Sequence, residues 1–301
     1  MRMPAHTLPV SRRSMLTGSA ALAAGAGLET VSCRAAPSDE RDPARPRKVI
    51  DAHAHLHHHS RPTWKDDDRK LIEAGDRLGI DQFCCSILTP RRPATAEGFR
   101  DCNRWVADAM KRFPGRVFGY CYVNPGHTRE ALDEVRRCVD GRGFIGVKLY
   151  NEYRCTDPVV FPVVELAIEL RVPILHHAGH SHYFIEDQPH ISDGGRLAEL
   201  SRRFPEAMLI CAHICGGGDW EWTIKALRNA PGVALDLSGS VTDDGVVEMA
   251  ARILGADRLL FACDMSMTAS VGRMRGADLT PVDRRKILGE NMERLLARRR
   301  S

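Results

Sequence analysis

The stretch VIDAHAHLHHHS, Val49 to Ser60, places five histidines in twelve residues, just after an apolar start. Imidazole binds metals and moves protons near neutral pH. A purification tag would sit at a terminus, and this cluster lies inside the chain, broken by Ala54 and Leu56. Side chains two apart on a strand share a face. His53 and His55 are therefore expected to point together, with Ala54 pointing away. Asp51 is expected on the same face, where its carboxylate would hold a ligand histidine from behind. His57, His58 and His59 fall past the strand end, in a loop that is either solvated or in contact with substrate.

Other ionisable residues close other apolar runs. Lys148 ends FIGVKLY, His176 and His177 end VPILHHA, His213 ends AMLICAHI and Asp264 ends LLFACDM. Buried strand ends are costly places for such groups unless they bind something. An HxH pair joined by His177, His213 and Asp264 predicts a metal centre.

These residues need a frame that brings strand ends together. Eight short apolar runs begin at Val49 and end with LLFACDM, each bounded by Gly, Pro or charge. Between them lie amphipathic segments. KDDDRKLIEAGDRLGI puts Leu71, Ile72, Gly75, Leu78 and Gly79 on one stripe, and TPVDRRKILGENMERLLARR opens with a Thr cap and Pro281 in the first turn. Eight strand–helix units predict an α/β fold, a single (β/α)8 TIM barrel with the metal site at the C-terminal ends of the strands. An open doubly wound sheet is the alternative, and no GxGxxG follows the first run to favour it.

Residues 1–36 read differently. Arg12 and Arg13 precede an uncharged small-residue run, the pattern of a twin-arginine export signal. The run is short and rich in Ala and Gly, which disfavours a transmembrane anchor. Residues 37–48 are expected to be a flexible lead-in and 49–301 the barrel. This predicts a periplasmic or secreted protein that meets the twin-arginine machinery and, once processed, no membrane. Residues 1–36 hold four arginines and one Glu, leaving 39 basic against 38 acidic side chains. Such a balance excludes a nucleic-acid partner. Of ten cysteines, Cys84, Cys85, Cys121, Cys211 and Cys263 fall in apolar runs and are expected as buried free thiols. Without paired CxxC motifs, a thiolate zinc site is not expected.

VIDAHAHL, FIGVKLY, VPILHHAGH, AMLICAHICGG, ADRLLFACDM and RRKILGENMERLL, in this order, resemble the amidohydrolase-related family of metal-dependent hydrolases, within the amidohydrolase superfamily. The resemblance spans Val49 to Leu296. It implies that His53, His55, His177 and Asp264 bind a divalent metal, one zinc ion, and that His213 is catalytic. His177 is preferred to His176 because the pattern places the ligand before a small residue and Gly, here Ala178-Gly179. Lys148 stands where binuclear relatives carry a carbamylated lysine, the alternative being an anion-contacting or salt-bridged amine. A departure is Ala262-Cys263-Asp264, where Gly-Ser-Asp is common.

The implied chemistry is hydrolysis. A divalent ion lowers the pKa of bound water from about 15.7 to near 7. Asp264 would take its proton, and His213 would steady the oxyanion or protonate the leaving group of an amide, lactone or ester-like bond. The alternative on the same site is nonoxidative decarboxylation of an aromatic or unsaturated acid, with Arg91, Arg92 or Arg154 holding a carboxylate. A non-catalytic metal-binding or ligand-binding barrel is the reading from another class, and the presence of both His213 and Asp264 argues against it. Lys148, Tyr150, Arg154 and His180 are the expected contacts of a small-molecule substrate, with Asn151, Glu152, His182 and Tyr183 near them. A homo-oligomer is compatible with the sequence.

Overall fold

The computed structural model describes residues 42–179, 188–214, 220–239 and 243–298. Eight strands alternate with helices in chain order: β1 (Ile50–His55), α1 (Trp64–Leu78), β2 (Gln82–Ser86), α2 (Ala96–Arg112), β3 (Val117–Tyr122), α3 (Thr128–Arg142), β4 (Gly146–Leu149), α4 (Phe161–Glu169), β5 (Ile174–His176), α5 (Gly194–Arg203), β6 (Leu209–Cys211), α6 (Trp220–Leu227), β7 (Val233–Asp236), α7 (Val246–Leu254), β8 (Leu259–Leu260) and α8 (Met267–Gly276). α9 (Pro281–Arg285) continues through a π turn into α10 (Asn291–Ala297). Each strand pairs in parallel with the next. The ring closes where Ala52 N–H donates to Phe261 O at 2.9 Å and Asp264 N–H donates to His53 O at 2.6 Å. This is the expected (β/α)8 barrel.

The helix ends follow local chemistry. Thr95, Asp193 and Thr280 each accept a backbone N–H from three residues on, capping α2, α5 and α9. α1 stops at Gly79, whose φ of +78° suits a residue without Cβ. Ile72 and Gly75 are buried and Leu71 and Leu78 pack partly against the core, as the stripe predicts.

Two apolar clusters divide the core. The larger lies between strands and helices and includes Ala54, Phe83, Cys85, Val147 and Leu235. The smaller groups Ile50, Ala52, Cys84, Tyr120, Leu175, Ile210 and Leu260 and fills the barrel interior. Tyr120 reaches across it to donate to Ala52 O at 3.2 Å. The eight described cysteines are buried and free, including the five strand cysteines expected to be so. In the lead-in, Arg45 pairs with Asp81 at 2.9 Å and Pro46 is buried, so residues 42–48 lie against the barrel. Among the described residues no helix is long and apolar enough to cross a membrane. Residues 1–36, with the export reading, lie outside the described residues.

Candidate metal centre

The site begins with an irregularity in β1. The β1–β2 register shifts between Asp51 and Ala54, which face Phe83 and Cys85, so three steps on one strand oppose two on the other. Such a bulge re-aims side chains. Ile50 and Ala52 pack in the interior cluster, whereas Ala54 packs in the outer one. His53, within the bulge, and His55, just past it, come together with their Nε2 atoms 3.2 Å apart.

Asp264 meets them from four residues beyond β8. Its Oδ1 lies 3.2 Å from His55 Nε2 and 3.9 Å from His53 Nε2. Lys148, fully buried on β4, donates to His53 Nε2 at 2.9 Å. Asp264 and His213 both adopt left-handed backbone, with φ of +52° and +65°. Such strain in non-glycine residues persists where surrounding structure enforces it, often at functional sites.

Asp236, at the end of β7, organises the floor. His53 Nδ1–H donates to its Oδ2 at 2.8 Å. Its Oδ1 accepts from His213 N–H at 3.0 Å, from Ser238 N–H at 2.9 Å and from Ser238 Oγ–H at 2.6 Å. His213 Nδ1 lies 2.9 Å from Ser238 Oγ, and because that hydroxyl gives its proton to Asp236, His213 Nδ1–H is the donor. This leaves His213 Nε2 facing the site. The role expected of Asp51 belongs to Asp236. Asp51 instead accepts the backbone N–H groups of His53 at 3.1 Å and Cys263 at 2.9 Å, because the bulge breaks the two-residue alternation between Asp51 and His53. The signal for Asp236 was present in the seventh apolar run, VALDLSGS, whose carboxylate falls at the end of β7.

Burial and charge set the protonation states. Burial, with Lys148 alongside, lowers His53 to about 3, so its imidazole is neutral. Burial also lowers His177 and His213. Burial alone would raise Asp236 and Asp264, but neighbouring imidazoles outweigh it and hold both carboxyls well below their usual range. Burial lowers Lys148 to about 8 and raises Asp51 to about 8.

A neutral His53 held at Nδ1, the His55 nitrogen and an ionised Asp264 all offer lone pairs within 4.8 Å of one another. Ligands about 2.0–2.1 Å from a tetrahedral ion lie about 3.3 Å apart. Two edges, at 3.2 Å, match and the third, at 3.9 Å, is longer, and the donors suit a divalent cation. His177 stands further out. Its Nδ1 lies 3.0 Å from His213 Nε2 and its Nε2 lies 3.2 Å from Gln188 Oε1.

Above these groups opens a cavity of about 300 Å³, lined by His55, Leu56, Leu88, Tyr150, His177, His213, Asp264 and Met265. Tyr150 stacks on His177 at 4.0 Å, and Arg92 lies 3.5 Å from the same ring, which by sterics must be on its other face. Arg154 does not line this cavity. Its backbone N–H is turned onto Asp157 and its guanidinium lies toward Pro189 O at 3.5 Å, on the 188–190 segment and not in the cavity. Glu152 accepts from Tyr122 Oη–H, and burial raises its carboxyl. His57 bonds buried Asp68 at 3.2 Å, and His59 stacks on Trp64 at 3.4 Å, so the histidine loop folds onto α1 and α2 instead of lying free in solvent. His180, His182 and Tyr183 lie outside the described residues.

A family profile described as amidohydrolase matches residues 50–298. No curated protein matches the chain in sequence. Among solved structures, a dihydroxybenzoic acid decarboxylase from Polaromonas sp. JS666, with bound manganese and the inhibitor 2-nitroresorcinol, is similar at a TM-score of 0.66 and 18% identity, covering 84% of this chain and 98% of that one. 5-Carboxyvanillate decarboxylase from Sphingomonas paucimobilis aligns at 0.67 and 17%, covering 83% and 99%. 4-Oxalomesaconate hydratase from Rhodopseudomonas palustris aligns at 0.62 and 17%, covering 83% and 96%. At these identities the similarity is one of fold.

Proposed function

The chain belongs to the amidohydrolase family, and from that premise we propose that it removes the carboxylate of a small aromatic or unsaturated acid as carbon dioxide. The observation that carries the reading is the mixed lining of the site. The imidazoles of His55, His177 and His213 and the carboxylate of Asp264 share one cavity with Leu56, Leu88, Tyr150 and Met265. Such a lining fits a small ring or unsaturated chain bearing an acid group. Two similar folds carry decarboxylases of hydroxylated benzoates.

His53, His55 and Asp264 would hold a divalent ion, joined by His177 once its ring turns from His213 and Gln188, and the ion would supply Lewis acidity toward a carboxylate or hydroxyl oxygen. Manganese, present in the Polaromonas enzyme, is the ion to compare with zinc. Breaking the carbon–carbon bond leaves an electron pair on carbon, and that carbon must receive a proton. We assign the proton to His213 Nε2. Ser238 holds the proton of the neutral ring on Nδ1, so Nε2 takes a proton from water first and then passes it to that carbon. Lys148 and Arg92 add positive charge near the acid end.

Hydrolysis of an amide, lactone or ester-like bond is the second reading. In that reaction Asp264, beside His55 at 3.2 Å, is the carboxylate that would take a proton from water. The test offers zinc-loaded and manganese-loaded protein two panels, hydroxylated benzoates with unsaturated diacids, and lactones with amides. Carbon dioxide release from the first panel supports the proposal. Turnover confined to the second overturns it in favour of hydrolysis.

A further inference from the structure

A second group of ligating side chains lies behind the barrel wall, apart from the active site. Cys121 on β3, Glu134 and Cys138 on α3 are buried, and a sulfur from each cysteine and a carboxylate oxygen all lie within 4.8 Å of one another. Glu134 and Cys138 are four apart on one helix face, and Cys121 meets them from the facing strand. We propose that Cys121, Cys138 and Glu134 form a structural site for a thiophilic divalent cation such as zinc, tying α3 to β3.

One edge of the site is already close. Cys138 Sγ lies 3.3 Å from Glu134 Oε1. In a zinc tetrahedron with sulfur at about 2.3 Å and oxygen at about 2.0–2.2 Å, such edges are about 3.4–3.8 Å. The group is also oriented from outside. Asn103 Nδ2–H donates to Glu134 Oε1 at 3.1 Å and to Cys121 Sγ at 3.4 Å, while Arg137 Nε–H donates to Glu134 Oε2 at 2.8 Å. Asn103 is itself fixed, accepting Tyr122 N–H at 2.8 Å. On binding, the two thiols give their protons to water. Two thiolates, one carboxylate and a dication sum to a single negative charge, which the Arg137 guanidinium offsets. Sulfur donors select a softer ion than the imidazole and carboxylate set at the barrel mouth. Because the cluster is closed to solvent, the ion is taken up as the chain folds.

The experiment expresses the full chain in cobalt-supplemented medium and records its absorption. A sulfur-to-cobalt charge-transfer band in the near ultraviolet is expected, since the active-site set contains no thiolate. The variant carrying His53→Ala and His55→Ala should keep one metal equivalent and the band. Cys121→Ser and Cys138→Ser should each remove the band with the circular dichroism of the folded barrel unchanged; if either fails to fold, the wild-type spectrum decides alone. Absence of the band from wild type overturns the proposal, as does its survival in the Cys121→Ser, Cys138→Ser double variant. A Cys121–Cys138 disulfide in the isolated protein also overturns it.

Discussion

Three imidazoles and two carboxylates in contact are kept in distinct states by what lies behind them. Asp236 is the clearest case, since its carboxylate holds the ring of His53 and, through the backbone N–H of His213 and through Ser238, the position of His213. Asp236→Ala should weaken metal affinity 10–100-fold, measured by competition with a chelator. His213→Ala should keep the metal and lose 10²–10⁴-fold in turnover, the usual worth of a positioned proton donor. Loss of metal from that variant would make His213 a ligand. Asp51 gives a stability prediction. Its folded pKa is raised from 3.8 to about 8, so the folded state keeps a proton that the unfolded chain releases between those values. Stability from this group is present below pH 3.8 and is lost as pH rises through 8, by at most about 1.4 kcal/mol per unit. Asp51→Asn mimics the protonated acid and should gain on wild type in urea midpoint between pH 5 and pH 8; a constant difference would show that Asp51 is ionised.

At this scale the sequence was partly legible. His53, His55, His213 and Asp264 stand out because each closes an apolar run at a place where an unpaired charge is costly. Asp51 holds the backbone of His53 and Cys263 and not a ligand imidazole, and the bulge beside it leaves no mark in an alternating pattern. Arg154 lies outside the described cavity because its loop turns onto Asp157, a turn invisible before the chain folds.

The elements that carry these residues are short. β5 and β6 have three residues and β8 has two, yet all eight were readable from apolar runs bounded by turn residues. The π turn, Lys286–Glu290, was not readable, since its reason is tertiary. A Cβ on Gly289 would lie 1.9 Å from Lys48 O, just before β1 begins. Gly289→Ala should therefore push on the entry to the histidine strand and cost about 1–3 kcal/mol. That corresponds to a fall in Tm of about 2–4 °C for each kcal/mol in a chain this size. Calorimetry showing an unchanged Tm would mean that the turn yields freely.

For the whole molecule, barrel and metal centre were legible together, because a strand-end pattern specifies both. The reaction was not. The same ligands serve hydrolysis and decarboxylation, and the walls that separate the two, Leu56, Leu88, Tyr150 and Met265, come from loops far apart in the chain. We also propose that the protein is exported folded, on the strength of Arg12-Arg13 and the uncharged run after them. Replacing both arginines by lysine keeps the charge and removes the guanidinium pair. Fractionation should then find full-length protein in the cytoplasm, and processed protein in the periplasm at wild-type levels would count against that route.

The most direct test of the central claim runs the metal-loaded enzyme in D2O with the best substrate of the acid panel and follows the product by mass spectrometry. The proposed reaction predicts one carbon dioxide released and one deuterium bound to the carbon that lost it, per turnover, with both lost in His213→Ala. A product that gains the elements of water and keeps its carboxylate would contradict it.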